Sequence, residues 1–187
     1  MKELNQHKLK FNKYLEKLYQ SNKPLIIYKV DGGYNIYTDF SKKIALNENN
    51  IAKFLDQIGC YEISLGDTIG IGTPSESVLM IKEVNKQVNL NKIAVHFHDT
   101  YGQALANLYA ALQLGVSTID SSVGGLGGCP YAKGSSGNVA TEDVLYMLNG
   151  MKIKTGVKFD MLLKTSYFIN KYLERKSSSR VSLALSQ

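Results

Sequence analysis

Arginine is scarce in this sequence, and long apolar runs are missing. Only Arg175 and Arg180 are arginines among 187 residues. Because arginine is the side chain that reads bases and phosphates with paired hydrogen bonds, we predict no nucleic-acid partner. No window approaches the roughly eighteen consecutive apolar residues that a membrane span requires, so the sequence predicts no membrane partner either.

Cysteine is also scarce, since Cys60 and Cys129 are the only two. Two thiols do not make a disulfide framework, and they fit a reducing compartment. The net charge of +6 is concentrated in residues 1–30, which carry seven lysines and two acidic residues. This segment lacks the apolar stretch of a secretory signal and contains no arginine, which argues against a mitochondrial transit peptide. Apolar residues at helical spacing predict a helix over 3–20.

From residue 60 onward, one pattern occurs three times: an apolar run, a polar tip and a helix. The runs are YEISL, IAVHF and VSTID, at 61–65, 93–97 and 116–120. The helices are expected at about 76–87, 101–114 and 141–149. Repeated strand–helix units are typical of parallel sheets, and (β/α)8 barrels build their sites at the polar strand ends. A full barrel needs about 250 residues. The predicted fold class is therefore α/β, the C-terminal half of a truncated TIM barrel.

Two further elements are predicted upstream of this repeat. LIIYKV and YNIYTDF flank Asp31-Gly32-Gly33, which is a β-hairpin signal. Apolar residues on one side of 41–58, followed by Gly59, predict a helix that ends at this glycine.

His96-Phe97-His98 is the strongest local indication of chemistry. Residues i and i+2 of a strand point to the same face, so both imidazoles project together from the strand end. That arrangement suits a divalent ion of the Mg/Mn/Zn group, the alternative being two ordinary hydrogen-bonding histidines. Asn138 precedes the helix at 141, where it is either an N-terminal cap or a cation ligand through its amide oxygen.

Carboxylates follow the strands as well. Asp67 ends the first run and is either a general base, a metal ligand or the cap of a turn. Asp99 and Asp120 leave the same choice open, with capping favoured for Asp99 because a helix starts directly after it.

Cys129 lies in a glycine-rich loop, VGGLGGCPYAKGSSGN at 123–138. The loop matches neither the Walker A pattern nor the dinucleotide-binding glycine pattern, which makes a phosphate cradle a weak interpretation. The remaining alternatives are a thiol activated by a nearby cation or metal and an incidental cysteine in a flexible surface loop.

Three long motifs in order resemble the 3-hydroxy-3-methylglutaryl-CoA lyase family. They are CYEISLGDTIGIGTP (60–74), AVHFHDTYGQALAN (94–107) and VSTIDSSVGGLGGCPYAKGSSGNVATEDVLYML (116–148). Isopropylmalate and homocitrate synthases share the paired histidines and the asparagine but differ in the cysteine loop. The resemblance divides the chain into a divergent N-terminal segment, 1–40, and the C-terminal part of a lyase-like barrel, 41–187.

The resemblance implies a Mg²⁺- or Mn²⁺-dependent cleavage of 3-hydroxy-3-methylglutaryl-CoA to acetyl-CoA and acetoacetate, a reaction of leucine catabolism and ketone-body formation. His96, His98 and Asn138 are similar to the family's metal ligands. Asp67 resembles its acid–base aspartate, His96 is implicated in proton transfer too, and Cys129 resembles the loop cysteine that helps protonate the acetyl-CoA enolate. An acyl-CoA is the implied substrate.

The sequence departs from the family pattern at several positions, and these departures leave open how the chain acts. Phe97 replaces the usual cysteine between the histidines and is expected to affect packing only, and Gly124 stands where alanine is usual. No residue of 1–40 matches the family's first-strand arginine and aspartate. The chain is therefore expected to act as a homodimer or with a complementing N-terminal half, or to be a catalytically incomplete fragment. A related Claisen-type acyl-CoA synthase is the third hypothesis. The family implies a mitochondrial location, with the cytoplasm as the alternative.

Overall fold

The computed structural model describes residues 25–30, 33–38, 47–128 and 136–185, with side chains from Ala52 onward. Its centre is a five-stranded sheet whose strands lie side by side in chain order. The first two strands are antiparallel, and the remaining neighbours are parallel. The strands are β1 (Leu25–Val30), β2 (Gly33–Thr38), β3 (Ile63–Asp67), β4 (Ile93–Phe97) and β5 (Thr118–Asp120).

Helices connect the parallel strands and continue after the last one. They are α1 (Asn47–Gln57), α2 (Pro74–Asn85), α3 (Ala104–Leu114), α4 (Thr141–Gly150), α5 (Phe159–Tyr172) and α6 (Arg180–Leu185). Short 3₁₀ turns lie at Leu90–Lys92 and Val123–Gly125. Within the described ranges, no helix is both long and apolar enough to cross a bilayer.

Local sequence explains where the helices begin and end. At the start of α2, Thr73 and Glu76 form a capping box, and Pro74 occupies the first turn, where its missing N–H costs nothing. At the end of α3, Gly115 adopts a left-handed conformation with φ of 100°, which ends the helix. The N-cap residue of α3 is Gln103, so the prediction that Asp99 occupies the cap of a helix starting directly after it is wrong. Its carboxylate instead accepts a hydrogen bond from the Ala104 backbone N–H at 2.9 Å, from five positions upstream.

The α/β architecture agrees with the sequence-based prediction of a partial barrel, and the hairpin is confirmed by the antiparallel pairing of β1 with β2. The predicted helix over 3–20 and the first residues of the helix over 41–58 lie outside the described residues. The helices α5 and α6 are additional elements that the periodicity did not indicate.

Successive side chains of β3 and β4 point to opposite faces of the sheet, so that one face packs in the core and the other carries candidate site residues. Val95 and Phe97 belong to the buried hydrophobic cluster, together with side chains of α2 and α3. Phe97 is fully buried, so it packs in the core as expected. The alternate residues face the other side of the sheet, where Gly66, His96 and Asp120 pair in register across three strands. The carboxyl ends of the parallel strands therefore carry the polar side chains.

Candidate functional site

His98 and Asn138 meet directly after β4. Their backbones pair in an isolated antiparallel bridge, and the Val139 N–H donates to the Phe97 carbonyl at 3.2 Å. The chain that leaves the glycine-rich loop is thereby held against the end of β4. These two residues are 40 positions apart in sequence, yet the bridge makes them neighbours in one site.

Both side chains present buried polar atoms with no hydrogen-bond partner among the described residues. These atoms are Nδ1 of His98 and Oδ1 of Asn138. The Asn138 amide nitrogen donates to the Leu126 carbonyl at 2.9 Å, which fixes the amide so that its oxygen is the unpartnered end. Ala140, and not Asn138, is the N-cap residue of α4, so the capping interpretation of Asn138 is wrong.

The electrostatics of His98 favour a neutral ring. Burial and, second, the neighbouring His96 ring lower the pKa of His98 to about 4, against a smaller opposing contact of hydrogen-bond type with the Asn138 side chain. That contact falls short of hydrogen-bond geometry, so no bond is formed between His98 Nδ1 and Asn138 Oδ1. The two ring centroids are 5.4 Å apart. A neutral imidazole with a buried unpartnered nitrogen is the form that binds a metal ion.

His96 faces a carboxylate. Its Nδ1 lies 3.7 Å from Oδ2 of Asp120, and that same oxygen accepts a hydrogen bond from the Ser64 hydroxyl at 2.5 Å. Burial alone would raise the pKa of Asp120, but the contacts with His96 and Ser64 outweigh it and lower the pKa. Asp120 is thus an ionised acceptor beside His96.

Asp67 is fully buried at the end of β3, and its carboxylate is held by the following loop. One oxygen accepts the N–H groups of Gly70 and Ile71, at 2.9 and 3.3 Å, and the other accepts that of Gly72 at 2.8 Å. Burial raises the pKa of Asp67, although the three backbone N–H groups oppose the shift. The turn-cap interpretation is confirmed, and the acid–base role stays a prediction.

The chain on either side of the cysteine is tightly held. We call residues 122–128 and 136–139 the loop neck. The Leu126 carbonyl accepts hydrogen bonds from both Ser122 and Asn138, which ties the two arms of the neck together. Gly137 passes so close to Gly127 that no side chain fits between them. Cys129 itself lies outside the described residues, so its role stays a prediction.

Helix α4 and the segment between α5 and α6 hold the base of the loop neck. Both carboxylate oxygens of the fully buried Glu142 accept the Gly124 N–H, at 2.9 and 3.0 Å. The Gly124 carbonyl accepts from the Ser178 N–H at 3.1 Å and from Arg175 at 3.4 Å. The C-terminal segment therefore fixes the start of the loop.

The donors at this site fit a divalent cation. His96, His98 and Asn138 supply two imidazoles and an amide oxygen, and two of these three groups carry orphaned buried atoms. Within the described residues, no group of three or more His, Cys, Asp or Glu side chains could hold a metal ion. The candidate donor set therefore consists of two imidazoles and one amide oxygen. A bound cation would satisfy buried acceptors of this kind.

Sequence reasoning missed two contributors. Nothing in the sequence pairs Glu142 with Gly124, because 18 positions separate them. Nothing in the sequence indicates the contact of Ser64 either, because its partner Asp120 is 56 residues away.

Comparison with known proteins identifies the family of the chain. The HMGL-like family model matches residues 14–169. The chain is 60% identical over 134 residues to mouse mitochondrial hydroxymethylglutaryl-CoA lyase, covering 72% of this chain and 41% of that protein. It is 54% identical over 134 residues to the mouse cytoplasmic 3-hydroxy-3-methylglutaryl-CoA lyase, covering 72% and 39%.

A solved structure shows the same fold. The hydroxymethylglutaryl-CoA lyase of Pseudomonas aeruginosa superposes with a TM-score of 0.76 at 47% identity, over 80% of this chain and 52% of that one. The chain thus spans well under two thirds of the length of these relatives. The matching family model and the level of identity establish that the chain belongs to the HMGL-like family of enzymes, together with the hydroxymethylglutaryl-CoA lyases.

Proposed function

We propose that this chain carries the metal-binding and proton-transfer residues of a lyase that cleaves 3-hydroxy-3-methylglutaryl-CoA to acetyl-CoA and acetoacetate. One observation supports this most directly: the orphaned His98 Nδ1 and Asn138 Oδ1 lie together at the strand ends of a lyase-family fold. The substrate is an acyl-CoA, as the names of the relatives indicate.

The cation of the proposed site is Mg²⁺ or Mn²⁺, held by His96, His98 and Asn138. When bound, it supplies a Lewis acid that lowers the pKa of the substrate's tertiary hydroxyl and polarises the ketone that forms. The lowered pKa of His98 keeps that ring neutral at physiological pH, so no proton competes for its nitrogen.

The chain's own residues would move the protons. In the proposal Asp67, at the end of the neighbouring strand, takes the hydroxyl proton, and its raised pKa favours a carboxyl that can hold it. Asp67 pairs in register with Phe97. Because the N–H groups of Gly70 and Gly72 hold its carboxylate, that carboxylate must turn out of the loop to reach the substrate. The electrons of that O–H bond form the ketone of acetoacetate, and those of the C2–C3 bond pass to the thioester enolate. Cys129 then donates a proton to this carbanion equivalent and gives acetyl-CoA.

A complementing partner belongs to the same proposal. Among the described strands, β5 pairs with β4 alone, and β1 pairs with β2 alone. Unpaired strand edges invite pairing with another chain. We propose that activity arises when a complementing N-terminal half, or a second copy of the chain, completes the barrel. A mitochondrial location is proposed from the named relatives, with the cytoplasm as the alternative.

The test uses the purified chain with 3-hydroxy-3-methylglutaryl-CoA and Mg²⁺ or Mn²⁺, and acetoacetate as the readout. It is run alone and with the purified N-terminal half of a family lyase. We expect turnover in the complemented mixture and loss of turnover with His96→Ala or Cys129→Ser.

Two outcomes would contradict the proposal. One is the absence of turnover in a mixture in which the two halves demonstrably associate. The other is condensation of acetyl-CoA with a 2-keto acid, which would indicate a Claisen-type synthase.

A further inference from the structure

Asp120 connects Ser64 and His96 on the inner face of the sheet. Its Oδ2 accepts the Ser64 hydroxyl at 2.5 Å and lies 3.7 Å from Nδ1 of His96. Ser64 is buried, with 5% of its surface exposed. The three side chains come from three adjacent strands, so the sheet itself fixes their separation.

The contact between Ser64 and Asp120 spans two strand intervals, because Ser64 lies on β3 and Asp120 on β5. In register between them, Ser64 pairs with Ala94 of β4, and Ala94 pairs with Thr118. Alanine carries only a methyl group there and is fully buried. Because Ala94 is small, it leaves room for the hydrogen bond between Ser64 and Asp120 to pass above β4.

The position of the carboxylate decides which ring nitrogen of His96 carries the proton. A carboxylate oxygen facing Nδ1 attracts an N–H and repels a lone pair, so it stabilises the tautomer that is protonated at Nδ1. The lone pair then lies on Nε2. Histidine ligands of metals are oriented in this way by carboxylates that contact their second nitrogen.

We propose that Asp120, held in place by Ser64, is a positioning residue that fixes His96 in the Nδ1–H tautomer and presents Nε2 as its reactive nitrogen. The consequence for metal binding and proton transfer rests on the proposed function. The tautomer itself does not, because it is a property of the chain without metal.

The first experiment measures the tautomer directly on the full chain without metal. Long-range ¹H–¹⁵N correlation spectra of the histidine rings are recorded at pH 7.5. The chain has three histidines, so His96→Gln assigns the signal. We expect Nδ1 of His96 to carry the proton and Nε2 to be unprotonated. Asp120→Ala should mix the two tautomers, and Ser64→Ala should do so less.

The matched control is Asp160→Asn, which removes an exposed carboxylate from the first turn of α5 and should leave the His96 spectrum unchanged. The His98 signals report whether each variant keeps the fold. The proposal is overturned if wild-type His96 carries its proton on Nε2. It is also overturned if Asp120→Ala leaves the tautomer populations unchanged while His98 keeps its wild-type signals.

The second experiment measures Mn²⁺ affinity of the same variants. We expect Asp120→Ala to weaken binding roughly 10- to 100-fold, as loss of a partner behind a histidine ligand does. If wild-type chain binds no Mn²⁺ but shows the Nδ1–H tautomer, the metal site of the proposed function fails and the positioning role stands. Equal Mn²⁺ affinity of wild type and Asp120→Ala would contradict the positioning role.

Discussion

The amide of Asn170 occupies the space that a side chain on Gly124 would need. A Cβ atom on Gly124 would clash with Nδ2 of Asn170, and the backbone of Gly124 is left-handed with φ of +61°. Asn170 is buried and donates to the Ser166 carbonyl at 2.8 Å, so it cannot swing away without losing that bond. Glycine therefore fits here without the strain and the clash that a larger residue would introduce.

We predict that Gly124→Ala destabilises the chain by about 1–3 kcal/mol, from backbone strain and overpacking against Asn170. Asn170→Ala removes the clashing amide, so the double variant should be less destabilised than the sum of the singles by about 1 kcal/mol. Urea unfolding of the four proteins measures this.

The control is Gly150→Ala, because a Cβ on Gly150 at the end of α4 meets nothing within 4 Å. That change should leave stability equal or slightly higher, by up to about 1 kcal/mol. Additive effects of Gly124→Ala and Asn170→Ala would show that the clash is not the cause.

A second prediction separates metal ligation by Asn138 from its structural contact. Asn138→Ala removes the orphaned Oδ1 and the hydrogen bond to Leu126, whereas Ser122→Ala removes only the other donor to the same carbonyl. We expect Asn138→Ala to abolish most Mn²⁺ binding, measured by water-proton relaxation, and Ser122→Ala to retain it. Similar losses in both variants would mean that the loop neck, and not the amide oxygen, governs binding.

The loop after β3 gives a third prediction. An asparagine at position 67 has one acceptor oxygen for N–H groups that now use both oxygens of Asp67. Asp67→Asn should therefore destabilise the chain by about 1–3 kcal/mol, because a backbone N–H inside the structure loses its partner. The readouts are denaturant unfolding and hydrogen exchange at Gly70 and Gly72. Unchanged protection of both amides would contradict the turn-cap role.

A fourth prediction concerns the half-buried Cys60. Burial is the main cause that raises the pKa of its thiol, Asp56 adds to the shift, and Lys92 opposes it. In a Cys129→Ser background, Cys60 should react with iodoacetamide more slowly than a free thiol at pH 8, with a midpoint above the ordinary value of 9.0. Asp56→Asn should lower that midpoint, and denaturant should restore the ordinary rate.

The same shift makes stability depend on pH. The folded chain holds the Cys60 proton more tightly than the unfolded chain. The stabilising contribution of Cys60 to the free energy of unfolding is therefore complete below the pKa of the unfolded chain. It is lost as pH rises through the higher folded pKa. The unfolding free energies of the wild-type and Cys60→Ala chains should therefore converge as pH rises from the unfolded pKa to the folded pKa of Cys60. Parallel curves would mean that the thiol titrates alike in both states.

Much of this fold was accessible from sequence because its signals are local. β4 begins and ends at the predicted residues, and α2 and α3 each begin or end within three residues of prediction. Apolar runs, capping residues and glycine stops act over a few positions. The helices α5 and α6 were missed because only part of their surface is buried, which weakens the apolar periodicity.

For the candidate site, too, one part could be predicted from the sequence and another part could not. The spacing of His96 and His98 places both rings on one face of a strand, and the motif around Asn138 carries the family resemblance. The sequence alone determined the family and the class of fold, and it predicted the residues that are proposed to bind a metal. Tertiary structure decided that Asn138 turns its oxygen inward, that Asp67 caps a loop and that Asp120 faces His96. These last contacts join residues from different strands and loops, and only the pairing and packing of those elements bring such residues within hydrogen-bonding distance.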